Sequence, residues 1–155
     1  MTGAPARAPA RAAAAPPCVA VGAATARFDA SRLMPGWDEH SWGYHGDDGG
    51  RFHGEGAATA RDPPFGRGDV AGCGIDRGRG EVFFTRNGAF LGAAPLSADD
   101  LASPIYPTVG LDHADPVHVN FGSEPFAYDL ASHEDRAALR AALDRQCPGL
   151  ARLET

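Results

Sequence analysis

Three histidines and a pair of aspartates lie close together in the sequence and raise the question of a metal site. His40, His45 and His53 flank Asp47–Asp48, and imidazole and carboxylate groups are common metal ligands. The spacing does not match a calcium loop, which needs acids at alternate positions and a distal glutamate. It does not match a helical zinc motif either, which needs two histidines four residues apart. We therefore predict no metal and no cofactor, and expect both aspartates to hydrogen-bond the backbone of a turn that the following glycines complete.

The other reactive side chains also lack the partners that catalysis needs. Cys73 lies between two glycines within an apolar segment, which is typical of a small core residue. His118 alternates with Val117 and Val119 and is expected to face outward from a strand. The sequence contains no lysine, which excludes Schiff-base and P-loop lysine chemistry. We predict that the chain is not an enzyme.

Composition indicates one all-β domain. The 155 residues include 20 glycines and 13 prolines, which favour short strands joined by tight turns. The net charge of −6 is spread along the chain without a basic stripe, so nucleic acid is not an expected partner. The uncharged run 12–26 is too short and too rich in alanine to span a membrane. Membrane association is therefore not expected.

The cysteines and the first residues bear on the compartment. Cys18, Cys73 and Cys147 are odd in number and widely spaced, which favours a reducing environment, the cytoplasm or the nucleus. Residues 1–17 form an Ala, Pro and Arg tail that we expect to be disordered. The tail has no acids, as in organelle transit peptides, but it has no serine and poor helical periodicity.

Residues 69–92 show the clearest strand pattern. Two apolar segments flank the turn Arg77–Gly80, and the Asn87–Gly88 turn follows, so a three-stranded β-meander is predicted. Val70, Ile75, Val82, Phe84 and Leu91 are its predicted core residues. Further strands are predicted at 18–22, 41–45, 51–53, 105–111, 117–121 and 126–130, with one helical turn at 97–101 and a helix at 133–146 capped by Ser132.

Five motifs in this order resemble a SPRY domain. They are PGWDEHSWGYHGDDG at 35–49, GDVAGCGI at 68–75, GEVFFTRNG at 80–88, IYPTVG at 105–110 and VNFG at 119–122. The subtype is similar to that of the Ran-binding scaffold protein of the microtubule-organising centre and of its relatives in multi-subunit ubiquitin ligases. The resemblance covers residues 18–130, between the tail at 1–17 and a C-terminal helix and tail at 131–155.

The resemblance implies a β-sandwich of two antiparallel sheets, followed here by the C-terminal helix. It implies a non-enzymatic module that binds a short peptide of another protein through loops at one end of the sandwich. It also implies ubiquitin-ligase subunits as partners, with the chain as scaffold or substrate-recognition part. Carried over by motif, the peptide-binding residues would be Met34, Pro35, Gly36, Trp37, Tyr44, Leu111, Asp112 and His113, with the 54–68 loop as a further rim.

Two questions stay open at this point. Trp37 follows a Pro-Gly turn, where it would be either a lid over the core or an anchor for a partner. The tail also stands where SPRY domains usually have about two more strands, so a truncated sandwich with an unpaired strand edge is expected. The alternative function is a carbohydrate- or metal-binding β-sandwich that uses the Asp47–Asp48 turn.

Overall fold

The computed structural model describes residues 17–54 and 56–134. Within these ranges, and up to Leu111, the chain forms eight strands and one short helix. They are β1 (Val19–Thr25), β2 (Ser41–His45), β3 (Gly50–Phe52), β4 (Ala60–Arg61), β5 (Ala71–Asp76), β6 (Glu81–Arg86), β7 (Ala89–Pro95), α1 (Ala98–Ala102) and β8 (Ile105–Leu111). All pairings are antiparallel.

The strands form two sheets. One has five strands in the order β4-β3-β2-β1-β8, and the other has three in the order β5-β6-β7. In the larger sheet Ala20 of β1 lies opposite His45 of β2 and Gly110 of β8. The predicted hairpin around the Asp47–Asp48 turn is confirmed as β2 and β3.

The smaller sheet is the predicted meander. Its second turn is made by Asn87 and Gly88, with φ of 50° and 80°, the left-handed values that a two-residue hairpin turn needs. Pairing runs from Ala71 opposite Arg86 to Asp76 opposite Glu81, and a register shift interrupts the β6–β7 ladder between Phe84 and Thr85.

The core lies between the two sheets, as in a β-sandwich. Trp42 and Tyr44 alternate on one face of β2, and Val82 and Phe84 do so on β6. These four side chains are fully buried or nearly so and form one cluster with Ala23 and Leu96. The core places of Val82 and Phe84 are confirmed, and Ile75 and Leu91 pack at the edge of the cluster.

The helical turn predicted at 97–101 is α1, and its first residues explain where it begins. The Ser97 side chain accepts a hydrogen bond from Asp100 N, and the Asp100 carboxylate accepts one from Ser97 N at 2.9 Å. This reciprocal pair satisfies two backbone donors that have no partner within the helix.

Two predicted strands are absent from the described part of the chain. Residues 117–121 and 126–129 are irregular, residue 130 is helical, and Phe121 is 75% exposed. The Asn120 side chain accepts hydrogen bonds from Gly122 N and Glu124 N, which closes a local turn that competes with strand pairing. Tyr128 is nevertheless buried, and its ring packs against Phe83.

Two further predictions need correction. Val70 is 55% exposed because it lies before β5, where its N–H donates to the Asn87 side chain. Helical structure begins at Leu130, and Asp129 rather than Ser132 caps it, since its carboxylate accepts from Ala131 N at 3.0 Å. The rest of the predicted helix at 133–146 lies outside the described residues.

No helix in the described ranges is long and apolar enough to cross a bilayer.

Candidate peptide-binding site

The site is built on the face of β2 that points away from the core. Because side chains alternate along a strand, Ser41, Gly43 and His45 share this outer face. All three are buried, since the segment 34–37 lies directly over them.

Hydrogen bonds hold the segment 34–37 on the strand. Gly36 N donates to Ser41 Oγ at 2.8 Å, and Ser41 Oγ in turn donates to Asp38 Oδ1 at 2.6 Å. His45 Nε2 lies 2.8 Å from Pro35 O. Since a carbonyl oxygen can only accept, Nε2 carries the hydrogen.

Glycines allow the backbones to approach this closely. A Cβ atom on Gly43 would collide with the Pro35 carbonyl, and one on Gly110 of β8 would lie 2.7 Å from Met34 Sδ. Gly36 has a φ of 92°, which side chains other than glycine rarely adopt. The segment 34–37 therefore packs on both β2 and β8 through positions without side chains.

An open cleft of about 390 Å³ lies beside this contact. Residues 28–37 form one wall and residues 108–111 form the other. The first wall is shaped by Asp29, whose carboxylate accepts from Ser31 N and Ser31 Oγ. These hydrogen bonds, that of the Ser31 hydroxyl first, lower the pKa of Asp29.

The structure brings half of the eight predicted site residues to this cleft. Met34, Pro35, Trp37 and Leu111 all line it. Trp37 is 47% exposed, and its ring centroid lies 5.7 Å from that of His45. Trp37 thus both covers a buried residue and offers an open aromatic surface.

The remaining predicted residues have other positions. Asp112 is exposed, and its Oδ1 accepts from Cys18 N at 2.7 Å, which ties the end of β8 to the start of β1. His113 contacts the next turn, where its Nδ1 accepts from Asp115 N. Gly36 is buried and positions its neighbours.

Tyr44 does not belong to the surface that was predicted for it. It lies in the core with no exposed area, packed against Phe65 and Phe84, and its hydroxyl donates to Pro63 O. Burial raises the pKa of Tyr44. Tyr44 follows Trp42 by two residues in β2, so both side chains lie on the same face of the sheet, and this face is the one that packs on the core.

The histidines and aspartates of the 40–53 region do not gather into one cluster. His53 stacks on Trp42 with 4.6 Å between ring centroids and bonds Ser41 O. Asp48 forms an ion pair with Arg61 at 2.7 Å and accepts from Gly50 N. His45 and Asp47 do lie close together, and the Cys18 thiol lies beside both of them.

Sequence reasoning missed part of the site. The wall 28–33 lies outside every element predicted from the sequence, and the Asp-x-Ser spacing of Asp29 and Ser31 is its one local signal. The contribution of residues 108–110 depends on the pairing of β8 with β1, which places Thr108 opposite Gly22. No local pattern reveals a pairing between segments so far apart in the chain.

Two antiparallel sheets packed face to face define a β-sandwich, and its cleft is built from loops and an outer strand. The comparisons give the family. Residues 11–124 match the SPRY domain family, and the chain belongs to it. SPRY domains are protein-interaction modules.

The relatives agree with this assignment. Ran-binding protein 9 of Mus musculus is 42% identical over 115 residues, which are 72% of this chain and 17% of that protein. The Ran-binding proteins 9/10 homolog of Drosophila melanogaster is 43% identical over 110 residues, 70% of this chain and 11% of that protein. The chain therefore spans less than a fifth of either relative, and the resemblance to the Ran-binding subtype is confirmed.

A solved structure supports the fold. The structure titled "Crystal structure of human SPRY domain" matches with a TM-score of 0.50 and 31% identity, covering 59% of this chain and 58% of that one. The prediction of a two-sheet β-sandwich is confirmed.

Proposed function

We propose that this chain is a non-enzymatic module that binds a short, extended peptide of a partner protein in the cleft between residues 28–37 and 108–111. The observation that carries the proposal is Trp37, a large aromatic side chain that is half-exposed at the cleft and held there by a buried loop. Aromatic anchors on a rigid support supply much of the energy of peptide and protein binding.

The cleft offers a peptide two kinds of contact. Trp37 and Leu111 present apolar surface, since Leu111 is also 43% exposed. The other wall belongs to β8, which is the last strand of the larger sheet, and an edge strand can offer N–H and C=O groups to the main chain of an extended peptide. Because glycine contacts and hydrogen bonds hold the 34–37 loop in place, little ordering free energy is lost on binding.

The test is a peptide-display selection on the immobilised chain, followed by titration of a selected peptide. Trp37→Ala should weaken binding by about 2 kcal/mol, or roughly 30-fold, while unfolding at nearly the same denaturant concentration. Val70→Ala is the matched control, because Val70 is similarly exposed but lies outside the cleft.

Equal affinity of the two variants would contradict the proposed site. Loss of the cooperative unfolding transition in Trp37→Ala would show instead that Trp37 is a core residue.

The proposal extends to the assembly in which the module works. We place the chain as a scaffold or substrate-recognition part of a multi-subunit ubiquitin ligase in the cytoplasm or nucleus, on the strength of the resemblance to the Ran-binding subtype. Copurification of ligase activity with the tagged protein, and its location by microscopy, test this.

A further inference from the structure

A thiol, an imidazole and a carboxylate meet beside the start of β1. Cys18 Sγ, a ring nitrogen of His45 and a carboxylate oxygen of Asp47 all lie within 4.8 Å of one another. They come from two strand ends and a turn. The antiparallel pairing of Ala20 with His45 puts Cys18, two residues before Ala20, beside Asp47, two residues after His45.

We propose that these three side chains form a zinc site. Cysteine, histidine and aspartate are the residue types that bind Zn²⁺, and the combination of a thiolate with an imidazole disfavours calcium and magnesium, which take oxygen ligands.

The distances suit a tetrahedral ion. Zinc bonds of about 2.3 Å to sulfur and about 2.1 Å to oxygen, at tetrahedral angles, separate the two ligand atoms by about 3.5 Å. Cys18 Sγ lies 3.2 Å from Asp47 Oδ1, so this pair of atoms is already close to the spacing that the ion requires.

The hydrogen bond of His45 leaves one of its ring nitrogens able to bind the ion. Its Nε2–H donates to Pro35 O at 2.8 Å, which leaves Nδ1 with a lone pair. Zinc-bound histidines typically donate their second ring nitrogen to a carbonyl or carboxylate in this way, which fixes the tautomer and the ring. The ring is also clamped by Phe52, at 4.5 Å between centroids, and by Trp37.

The charge and access of the site also favour a divalent cation. A thiolate and one carboxylate neutralise Zn²⁺, and the Asp112 carboxylate, bound to Cys18 N, adds negative potential nearby. Cys18 and His45 are buried, at 7% and 3% exposure, whereas Asp47 is exposed. The ion would enter past Asp47, and a water molecule would take the fourth position.

The binding step is a ligand exchange without redox change. In the metal-free state the Cys18 S–H donates to Asp47 Oδ1. When zinc binds, the S–H bond breaks, the sulfur lone pair forms the Zn–S bond and the proton passes to solvent. One proton is released for each ion bound at this thiol.

The experiment titrates the full, chelator-treated chain with Zn²⁺ by calorimetry and with Co²⁺ by absorption. We expect one ion per chain and a near-ultraviolet sulfur-to-cobalt charge-transfer band. Cys18→Ser, His45→Gln and Asp47→Asn should each weaken zinc binding by about 100-fold or more, beyond the roughly 10–100-fold that loss of an outer partner costs. The introduced serine can still donate to Asp47, and the amide of the introduced glutamine can still donate to Pro35 O, so both replacements keep a hydrogen bond of the parent side chain.

Matched variants define the controls. Cys73→Ser, Cys147→Ser, His53→Gln and Asp48→Asn should bind zinc and cobalt as the parent chain does. Asp47→Asn keeps the test valid even if a buried variant fails to fold, because Asp47 lies on an exposed turn. Absence of the charge-transfer band, its loss in Cys147→Ser but not in Cys18→Ser, or unchanged zinc affinity in Asp47→Asn would each overturn the proposal.

Discussion

Gly43 determines how closely the 34–37 loop approaches the larger sheet. The Pro35 carbonyl occupies the space that a side chain at position 43 would need, and the same carbonyl orients His45. Because Gly43 has no Cβ atom, the Pro35 carbonyl can take the position that fixes both the wall of the cleft and the orientation of the His45 imidazole.

Gly43→Ala should therefore displace the loop or destabilise the fold. Forcing a methyl group against backbone typically costs about 1–3 kcal/mol. Denaturant unfolding should show this loss, together with weaker binding of a selected peptide.

Gly66→Ala is the control, because a Cβ there meets nothing within 4 Å and the unfolded chain loses freedom. Its stability should stay equal or rise by up to about 1 kcal/mol. Equal unfolding of the two variants would contradict the packing argument.

For single residues, the sequence predicted the backbone element that holds a side chain better than it predicted which residues that side chain contacts. Trp37 was correctly expected in a loop after the Pro-Gly turn. Tyr44 was assigned to the surface although it alternates with Trp42, because its place in the motif took precedence over its period. The meeting of Cys18 with His45 was missed, since the two are distant in the chain and only strand pairing joins them.

At the scale of elements, Asp69 links the start of β5 to the β6–β7 turn. Its carboxylate accepts from Asn87 Nδ2 at 2.7 Å, from Gly66 N at 2.9 Å and from Arg86 Nη2 at 3.2 Å. These interactions, the Asn87 bond first, lower the pKa of Asp69. The turn and the strand start are therefore held by one ionised side chain.

The linkage has a defined pH dependence. A carboxyl whose pKa is lower in the folded chain stabilises the fold above its unfolded pKa of about 3.9, and this stabilisation is lost as pH falls through the folded value. The melting temperature of Asp69→Asn should be lower than that of the parent chain by a constant interval from about pH 8 to about pH 5. The interval should close below about pH 4.

Thermal melts across this pH range measure the effect. Glu124→Gln, at an exposed carboxylate, should track the parent chain throughout. An interval that persists unchanged at about pH 3 would mean that Asp69 acts through shape rather than charge.

The elements differ in how far local sequence determines them. The meander was predictable because its turns are encoded by Asn87–Gly88 and Arg77–Gly80 and its strands alternate. The 117–121 segment alternates equally well, yet it is irregular, since a strand needs a paired backbone and the Asn120 turn supplies a local alternative. Alternation of apolar and polar residues therefore shows that a segment can form a strand, but it does not show that the segment does so.

At the scale of the whole molecule, apolar surface is unevenly covered. Val109, Leu111, Val117, Val119 and Phe121 are all at least 39% exposed, whereas the interior between β2 and β6 is closed. Exposed apolar groups beside an edge strand are a common cause of self-association.

Phe121→Glu should therefore reduce concentration-dependent association and leave stability within about 0.5 kcal/mol, because Phe121 buries little. Light scattering against concentration and chemical unfolding measure the two quantities. Phe84→Ala, at a fully buried ring, should by contrast cost about 3–5 kcal/mol. A comparable loss of stability in Phe121→Glu would show that the segment around it packs on the fold in solution.

The two tryptophans occupy opposite environments, so their fluorescence reports separately on the core and on the cleft. Trp42 is enclosed against His53, and its indole N–H has no hydrogen-bond partner among the described residues, which favours blue-shifted emission that acrylamide cannot quench. Trp37 is half in water at the cleft, so its emission is red-shifted and open to the quencher. In one spectrum the blue component follows unfolding, and the red component follows occupation of the cleft.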